Sequence, residues 1–164
     1  MVTRRSFLKL GVGSAVLLAG FGIASQFVGR HATDDRRAVL RAAIPAVLDG
    51  VLPADAAQRA AAIETTLCDV EMAIDGLAPA AQDELRALFL ALAAAPSRLL
   101  LAGLATPWHE ADPDAVAAVL QAWRTHRLTL LQAAYHALHD LILGTAYADE
   151  SRWAAIGYPG PPVL

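Results

Sequence analysis

Residues 112–144 read DPDAVAAVLQAWRTHRLTLLQAAYHALHDLILG, the longest stretch of helical periodicity in the chain. The aspartate followed by proline at Asp112-Pro113 is a helix start signal. Large apolar residues then recur at spacings of three and four, which indicates one buried helical face. We predict one helix from Asp112 to about Leu143, ended by Gly144. The apolar stripe shifts at Arg124-Thr125-His126, so a break there is the alternative.

The sequence between residues 32 and 112 has the same helical spacing and lacks the alternation typical of strands. It predicts four more helices. The first starts at Thr33 or Asp34, runs to Leu48 and is kinked or shortened at Pro45. The second runs from Asp55 to Asp75 and is ended by Gly76. The third follows Pro79, and the fourth is a short piece from Leu99 to Leu104. The fold class is therefore all-α, a small helical bundle over residues 32–148.

Two local features of this region predict which of its residues are buried. The Leu85–Leu104 region is apolar enough to mimic a membrane span, but Arg86, Pro96 and Arg98 interrupt it, so we predict buried core. Cys68 is the sole cysteine, which excludes a disulfide within the chain, and its helical apolar surroundings predict a small core residue.

Charge excludes one class of partner. Residues 32–164 contain nine arginines and all sixteen acidic residues of the chain, a net charge near −7. Nucleic-acid binding requires a basic face, so we expect no nucleic-acid partner.

The N-terminus contains a motif followed by an apolar run. Thr3-Arg4-Arg5-Ser6-Phe7-Leu8-Lys9 precedes residues 10–29, twenty residues without a charge. This segment resembles the twin-arginine (Tat) export signal of bacteria, Ser/Thr-Arg-Arg-x-Phe-Leu-Lys, at every position. The resemblance implies an address read by the Tat translocon, carried by Arg4, Arg5, Phe7, Leu8 and Lys9, and export of the folded protein to the periplasm at the inner membrane.

The run allows two outcomes after export. In helical form its twenty residues span about 30 Å, enough to cross a bilayer core, so residues 1–31 can stay as an anchor in the inner membrane. They can also be removed, although Gly22-Ile23-Ala24 before Ser25 is only a weak cleavage site. An ordinary membrane anchor with basic flanks is the alternative to the Tat signal, but it leaves Phe7-Leu8-Lys9 unexplained.

The C-terminal segment, residues 149–164, differs in composition from the bundle. Prolines and glycines alternate with large apolar groups, which predicts an extended tail rather than a helix. Aromatic groups on a stiff segment make good interface anchors. We predict a partner-binding tail, with a tail packed on its own bundle as the alternative. The expected interface residues are Trp153, Ile156, Gly157, Tyr158, Pro159, Gly160, Pro161 and Pro162.

The leader, the helical body and the closing Trp-x-x-Ile-Gly-Tyr-Pro-Gly-Pro-Pro together resemble the small subunits of bacterial flavin-dependent dehydrogenases, the gluconate 2-dehydrogenase subunit 3 and sorbitol–fructose dehydrogenase small-subunit group. Ile44-Pro45-Ala46 and Leu52-Pro53 add to the likeness. The resemblance implies a non-catalytic subunit that escorts and stabilises a large glucose–methanol–choline type dehydrogenase. FAD is expected in that partner and no cofactor in this chain; a cytochrome c subunit is a further candidate partner.

Two alternatives remain beside this interpretation. One is a stand-alone, membrane-anchored helical binding domain of the periplasm. The other is a small metalloenzyme that uses His136 and His139, which share a helix face, with more ligands from elsewhere such as His109 and Glu110. Because a metal needs those further ligands, we expect no metal site. The sequence has no serine nucleophile elbow, phosphate loop or dinucleotide fingerprint, so we expect no catalytic residue in this chain.

The leader is tested by changing Arg4 and Arg5 together to Lys. The positive charge is kept, so a plain anchor is insensitive to the change, whereas a receptor that reads the arginine pair rejects it. We expect the variant to fold but to stay in the cytoplasm, measured by cell fractionation and circular dichroism. Normal periplasmic accumulation would contradict the Tat interpretation.

Overall fold

The computed structural model describes residues 32–150, 152–153 and 157–160. These residues form six α-helices and a 3₁₀ turn, with further 3₁₀ residues at Glu150, Arg152 and Trp153 and no strand among them, which confirms the all-α class and the helical bundle. The leader, residues 1–31, lies outside the described residues. The elements are α1 (Ala32–Val47), α2 (Ala56–Asp75), α3 (Pro79–Ala93), α4 (Ala95–Ala102), the 3₁₀ turn (Trp108–Glu110), α5 (Pro113–Arg124) and α6 (Thr129–Ala146).

Helix α1 is the centre of the bundle. It packs against α2, α3, α5, α6 and the 3₁₀ turn, and its side chains Val39, Leu40, Ala43 and Ile44 are fully buried. The helix begins at Ala32, so the predicted caps at Thr33 and Asp34 lie inside the first turn instead. Pro45 lies within the last turn, where it shortens the helix only slightly, because the helix ends at Val47.

Ion pairs join α1 and α2. Glu71 lies 3.2 Å from Arg36 and 3.4 Å from Arg37, while Arg41 donates two hydrogen bonds to Glu64 at 2.6 and 2.9 Å. The hydrogen bond from Arg41 lowers the pKa of Glu64. The pairing order runs oppositely along the two helices, which are therefore antiparallel. The Arg41–Glu64 pair is half exposed and the two pairs of Glu71 are less exposed. Ion pairs near the surface add little stability, so their main effect is on alignment.

Helix α2 matches its predicted bounds closely. Asp55 caps it by accepting a hydrogen bond from the backbone N–H of Gln58 at 2.9 Å, and Gly76 follows its last residue. The buried stripe includes Leu67, Val70 and Ile74. Cys68 is exposed, which contradicts the expected core position, because it points away from this stripe.

The single helix predicted over residues 112–143 is wrong, and the alternative of a break is confirmed. Helix α5 ends at Arg124 and α6 begins at Thr129. Side chains in the break replace the missing helical bonds: His126 Nδ1 accepts from the N–H of Leu128 at 3.1 Å, and Gln132 donates to the carbonyl of His126 at 2.8 Å. Gly144 does not end α6, which continues to Ala146.

Helices α3 and α4 meet at a bend of 90°. Arg98 is buried inside this bend, where its guanidinium donates to the carbonyls of Ala93 at 2.9 Å and of Leu104 and Ala105 at 3.2 Å. The carbonyl of Ala93 belongs to the C-terminal end of α3, whose partial negative charge favours a cation. The bend is therefore stabilised by a charge that the chain itself surrounds.

The prediction of buried core for residues 85–104 is half right. Phe89 and Leu92 are buried, but Leu99 and Leu100 are exposed, because the bend turns one face of α4 away from the bundle. Within the described residues, no single helix has the length and apolarity needed to cross a membrane; the bent pair α3–α4 meets those two criteria only when taken together.

Replacing Arg98 with Met tests the bend. The change removes three hydrogen bonds from a charged donor and leaves buried carbonyls unpaired, so we expect a loss of about 3 kcal/mol in the free energy of unfolding. Arg127→Met, at an exposed position, is the matched control and should change stability by less than about 0.5 kcal/mol. Urea unfolding followed by circular dichroism measures both; equal stabilities would contradict the assigned role of Arg98.

Candidate partner interface

The most exposed apolar surface of the described bundle lies just after the α3–α4 bend. Leu99 is 55% exposed and Leu100 is 83% exposed. Arg98 is the only charged residue between positions 95 and 106, and it is turned inward. We call this surface the apolar elbow, defined by the exposed residues Ala95, Pro96, Leu99, Leu100, Gly103, Ala105 and Thr106.

Hydrogen bonds from buried side chains hold the backbone around the elbow in place. Besides the three bonds from Arg98, the indole N–H of Trp123 donates to the carbonyl of Leu101 at 2.8 Å, and that of Trp108 donates to the carbonyl of Leu92 at 2.7 Å. Gly103, with φ of 67°, ends α4 in the left-handed conformation that glycine adopts without strain. A fixed apolar surface loses little conformational entropy on binding, which favours its use as an interface.

The first part of the predicted tail is attached to the bundle. Arg152 donates to the hydroxyl of Thr66 on α2 at 2.8 Å, and Thr66 is fully buried. The indole N–H of Trp153 donates to the carbonyl of Tyr147, just after α6, at 2.9 Å. At these two residues the chain follows the alternative of a tail packed on its own domain.

The next described tail residues turn back towards Trp153. The N–H of Tyr158 donates to the carbonyl of Trp153 at 3.0 Å, and the two rings meet edge to face at 5.2 Å. Gly157 has φ of 70°, and Gly160 lies against the Trp153 ring. Tyr158 stays 46% exposed, so it is the large tail side chain that the structure leaves open to a partner.

The other expected site residues are the remaining interface residues of the tail and the export residues of the leader. Pro159 is exposed next to Tyr158, whereas Ile156, Pro161 and Pro162 lie outside the described residues. The export residues Arg4, Arg5, Phe7, Leu8 and Lys9 also lie outside them. Partner binding by the tail and export by the leader residues both stay predictions.

The histidines of α6 have local partners. The ring of Tyr135 lies 5.3 Å from that of His136 and 5.1 Å from that of His139, and His139 Nδ1 is 3.2 Å from the carboxylate of Asp140. His109 lies 3.3 Å from its neighbour Glu110. Across the described part of the chain, no three His, Cys, Asp or Glu residues gather in a group that could bind a metal ion.

A small cavity of about 150 Å³ lies where α1, α2 and α3 meet. Its volume is below the 300–1,000 Å³ that is usual for ligand and cofactor pockets. It is lined by Arg36, Ile74, Asp75, Gln82, Leu85, Arg86 and Phe89.

Sequence reasoning missed the elbow and Arg152. One signal for the elbow is Leu99-Leu100-Leu101: consecutive helical residues are about 100° apart, so three leucines cannot all face one core. Arg152 has no comparable signal, because its contact with Thr66 joins positions far apart in the sequence.

Comparisons with protein families, with curated proteins and with solved structures find no match for this chain. The likeness to dehydrogenase small subunits therefore stays a prediction from the motifs at its two ends.

Two single changes separate the structural and binding roles of the tail. Trp153→Ala removes a half-buried ring and its hydrogen bond, so we expect a loss of about 2 kcal/mol in the free energy of unfolding. Tyr158→Ala should change that quantity by less than about 0.5 kcal/mol. The same Tyr158 change should weaken partner binding by about 2 kcal/mol if the ring is an interface anchor.

Thermal melts followed by circular dichroism, and co-purification of the partner, are measured on both variants. A Tyr158→Ala chain that retains its partner as well as the unchanged chain does would exclude this ring as a main contact.

Proposed function

We propose that this chain is a non-catalytic accessory subunit that escorts a folded, FAD-dependent dehydrogenase of the glucose–methanol–choline type through the Tat pathway and stabilises it in the periplasm. The observation that carries the proposal is the apolar elbow, where Leu99 and Leu100 are exposed on a rigid, uncharged surface. In this assignment the FAD and the catalytic groups belong to the partner.

Charge favours a protein rather than a lipid surface as the partner of the elbow. Anionic membranes attract clusters of Lys and Arg, whereas residues 32–164 have a net charge near −7. The charged residues that directly follow the elbow in sequence include the acidic Glu110, Asp112 and Asp114. An uncharged apolar patch on an acidic domain fits an apolar patch of another protein.

The leader supplies the second half of the proposal. A Tat-type address, which serves proteins that cross the membrane folded, allows one signal to export two chains that are already bound to each other. Binding must then be stable before export, which requires preformed contact surfaces such as the elbow and the attached part of the tail. A membrane-anchored binding domain, the alternative, shares the leader but requires no flavoprotein.

Purification of the tagged full chain from its native host separates these two functions. We expect a large flavoprotein to co-elute in a fixed ratio, identified by flavin absorbance and mass spectrometry. Recovery of the chain with partners that contain no flavin would support the anchored binding domain instead. Capture of the dehydrogenase also from cells in which Arg4 and Arg5 are changed to Lys would support binding before export.

A paired substitution tests the elbow as the contact. Changing Leu99 and Leu100 together to Gln removes the apolar groups while keeping similar side-chain length and helix propensity. Loss of hot-spot leucines should weaken the complex by about 2 kcal/mol or more, about thirtyfold in Kd. The thermal stability of the bundle should stay unchanged or rise, because both side chains are exposed.

Met72→Gln is the matched control for this pair, because Met72 is 66% exposed on α2, outside the elbow. It should leave the complex intact. Equal recovery of the dehydrogenase with the leucine pair changed and with Met72 changed would contradict the elbow as its binding surface.

A further inference from the structure

The turn between α5 and α6 exposes two arginines that have no acidic partner. Arg124 and Arg127 are exposed there, and no ion pair in the described part of the chain involves either of them. Leu128 beside them is 51% exposed. The sequence has no acidic residue between Asp114 and Asp140, although residues 32–164 have a net charge near −7. We call this surface the basic corner, defined by residues 124–128.

Most other arginines of the described domain already have a carboxylate partner, namely Arg36, Arg37, Arg41, Arg86 and Arg152. A paired arginine attracts an approaching molecule weakly, because its carboxylate cancels much of its field. The two arginines of the basic corner keep their full charge. In a domain that is acidic elsewhere, the corner is therefore a place where an acidic surface meets attraction instead of repulsion.

The basic corner is joined to the apolar elbow. Trp123, the residue before Arg124, donates its indole N–H to the carbonyl of Leu101 at 2.8 Å, and Leu101 follows the exposed Leu100. The N–H of His126 donates to the carbonyl of Trp123 at 3.2 Å, which folds the turn back on the same residue. The charged and the apolar surface are thus attached to each other through one buried tryptophan.

The opposite end of α5 is acidic. Asp112 and Asp114 lie at its start and Glu110 precedes it, whereas Arg124 is its last residue. The twelve residues of the helix separate the two ends by about 18 Å. The elbow therefore lies beside a helix with carboxylates at one end and a cation at the other. Such a charge order favours one orientation of a charged partner over the reverse.

We propose that the apolar elbow and the basic corner form one docking surface, on which the elbow contacts an apolar patch of the partner protein and the corner contacts an acidic patch beside it. The inference rests on the proposed function, because the occupant is the flavoprotein. Charge complementarity raises the rate of association, whereas the buried leucines slow dissociation. An anionic bilayer is the poorer occupant, because the acidic domain as a whole is repelled by it.

Binding kinetics separate the two contacts. The flavoprotein that co-elutes with the chain is purified and applied to the tagged full chain, which is immobilised in mild detergent. The test variant changes Arg124 and Arg127 together to Gln. The matched control changes Arg59 and Arg86 together to Gln, which removes the same charge from α2 and α3, outside the elbow and the corner. Circular dichroism verifies the fold of both variants.

We expect the association rate in about 50 mM NaCl to fall about tenfold in the test variant and less than about twofold in the control. In about 500 mM NaCl the test variant should approach the unchanged chain, because salt screens exposed charges. The dissociation rate of the test variant should stay within about twofold of the unchanged chain. Changing Leu99 and Leu100 to Gln should instead raise the dissociation rate by about thirtyfold.

Four results would overturn the proposal. An unchanged association rate in the test variant, while the leucine pair still weakens the complex, would remove the basic corner and leave the proposed function standing. An equal fall in the control would assign the effect to net charge alone. Absence of a flavoprotein from the eluate would overturn the proposed function and this inference with it. Weaker adsorption of the test variant to phosphatidylcholine vesicles containing phosphatidylglycerol, with unchanged flavoprotein binding, would assign the corner to a lipid surface.

Discussion

Burial of the apolar side of α1 is the constraint on which the rest of the structure depends. Val39, Leu40, Ala43 and Ile44 have no exposed surface, because α2, α3, α5, α6 and the 3₁₀ turn each contribute one wall around them. Burying one such side chain stabilises the fold by about 1.5–3 kcal/mol, more than an exposed ion pair adds. The pairs of Arg36, Arg37 and Arg41 with α2 therefore adjust a packing that apolar contact already determines.

Arg98 explains how the apolar elbow can be exposed while its backbone keeps a fixed conformation. A buried guanidinium is costly unless its donors are satisfied, and three backbone carbonyls satisfy them here. The charge is thereby removed from the surface and the 90° bend is stabilised by the same contacts.

Local signals in the sequence predicted the elements whose ends are determined locally. The Asp55 cap, Gly76 and Pro79 place α2 and the start of α3 to within a residue. The break after Arg124 was harder to predict, because the hydrogen bonds that replace the helical ones there involve the side chains of His126 and Gln132. The exposure of Leu99 and Leu100 follows from the bend, and the anchoring of Arg152 on Thr66 from tertiary packing. The spacing of Leu99-Leu100-Leu101 along one helix indicates that not all three leucines are buried, but no spacing along one helix predicts the bend or the contact of Arg152 with Thr66.

The central place of α1 has a consequence for synthesis. It is the first described helix to leave the ribosome, yet its walls are completed only when α6 ends at Ala146, about 100 residues later. At 5–20 residues per second its apolar face waits roughly 5–20 s for its last contacts. Such long-range closure also slows folding itself, because distant segments must meet before burial offsets their lost freedom. A chain built in this order reaches its folded state only after translation has nearly finished, long after its N-terminus has left the ribosome.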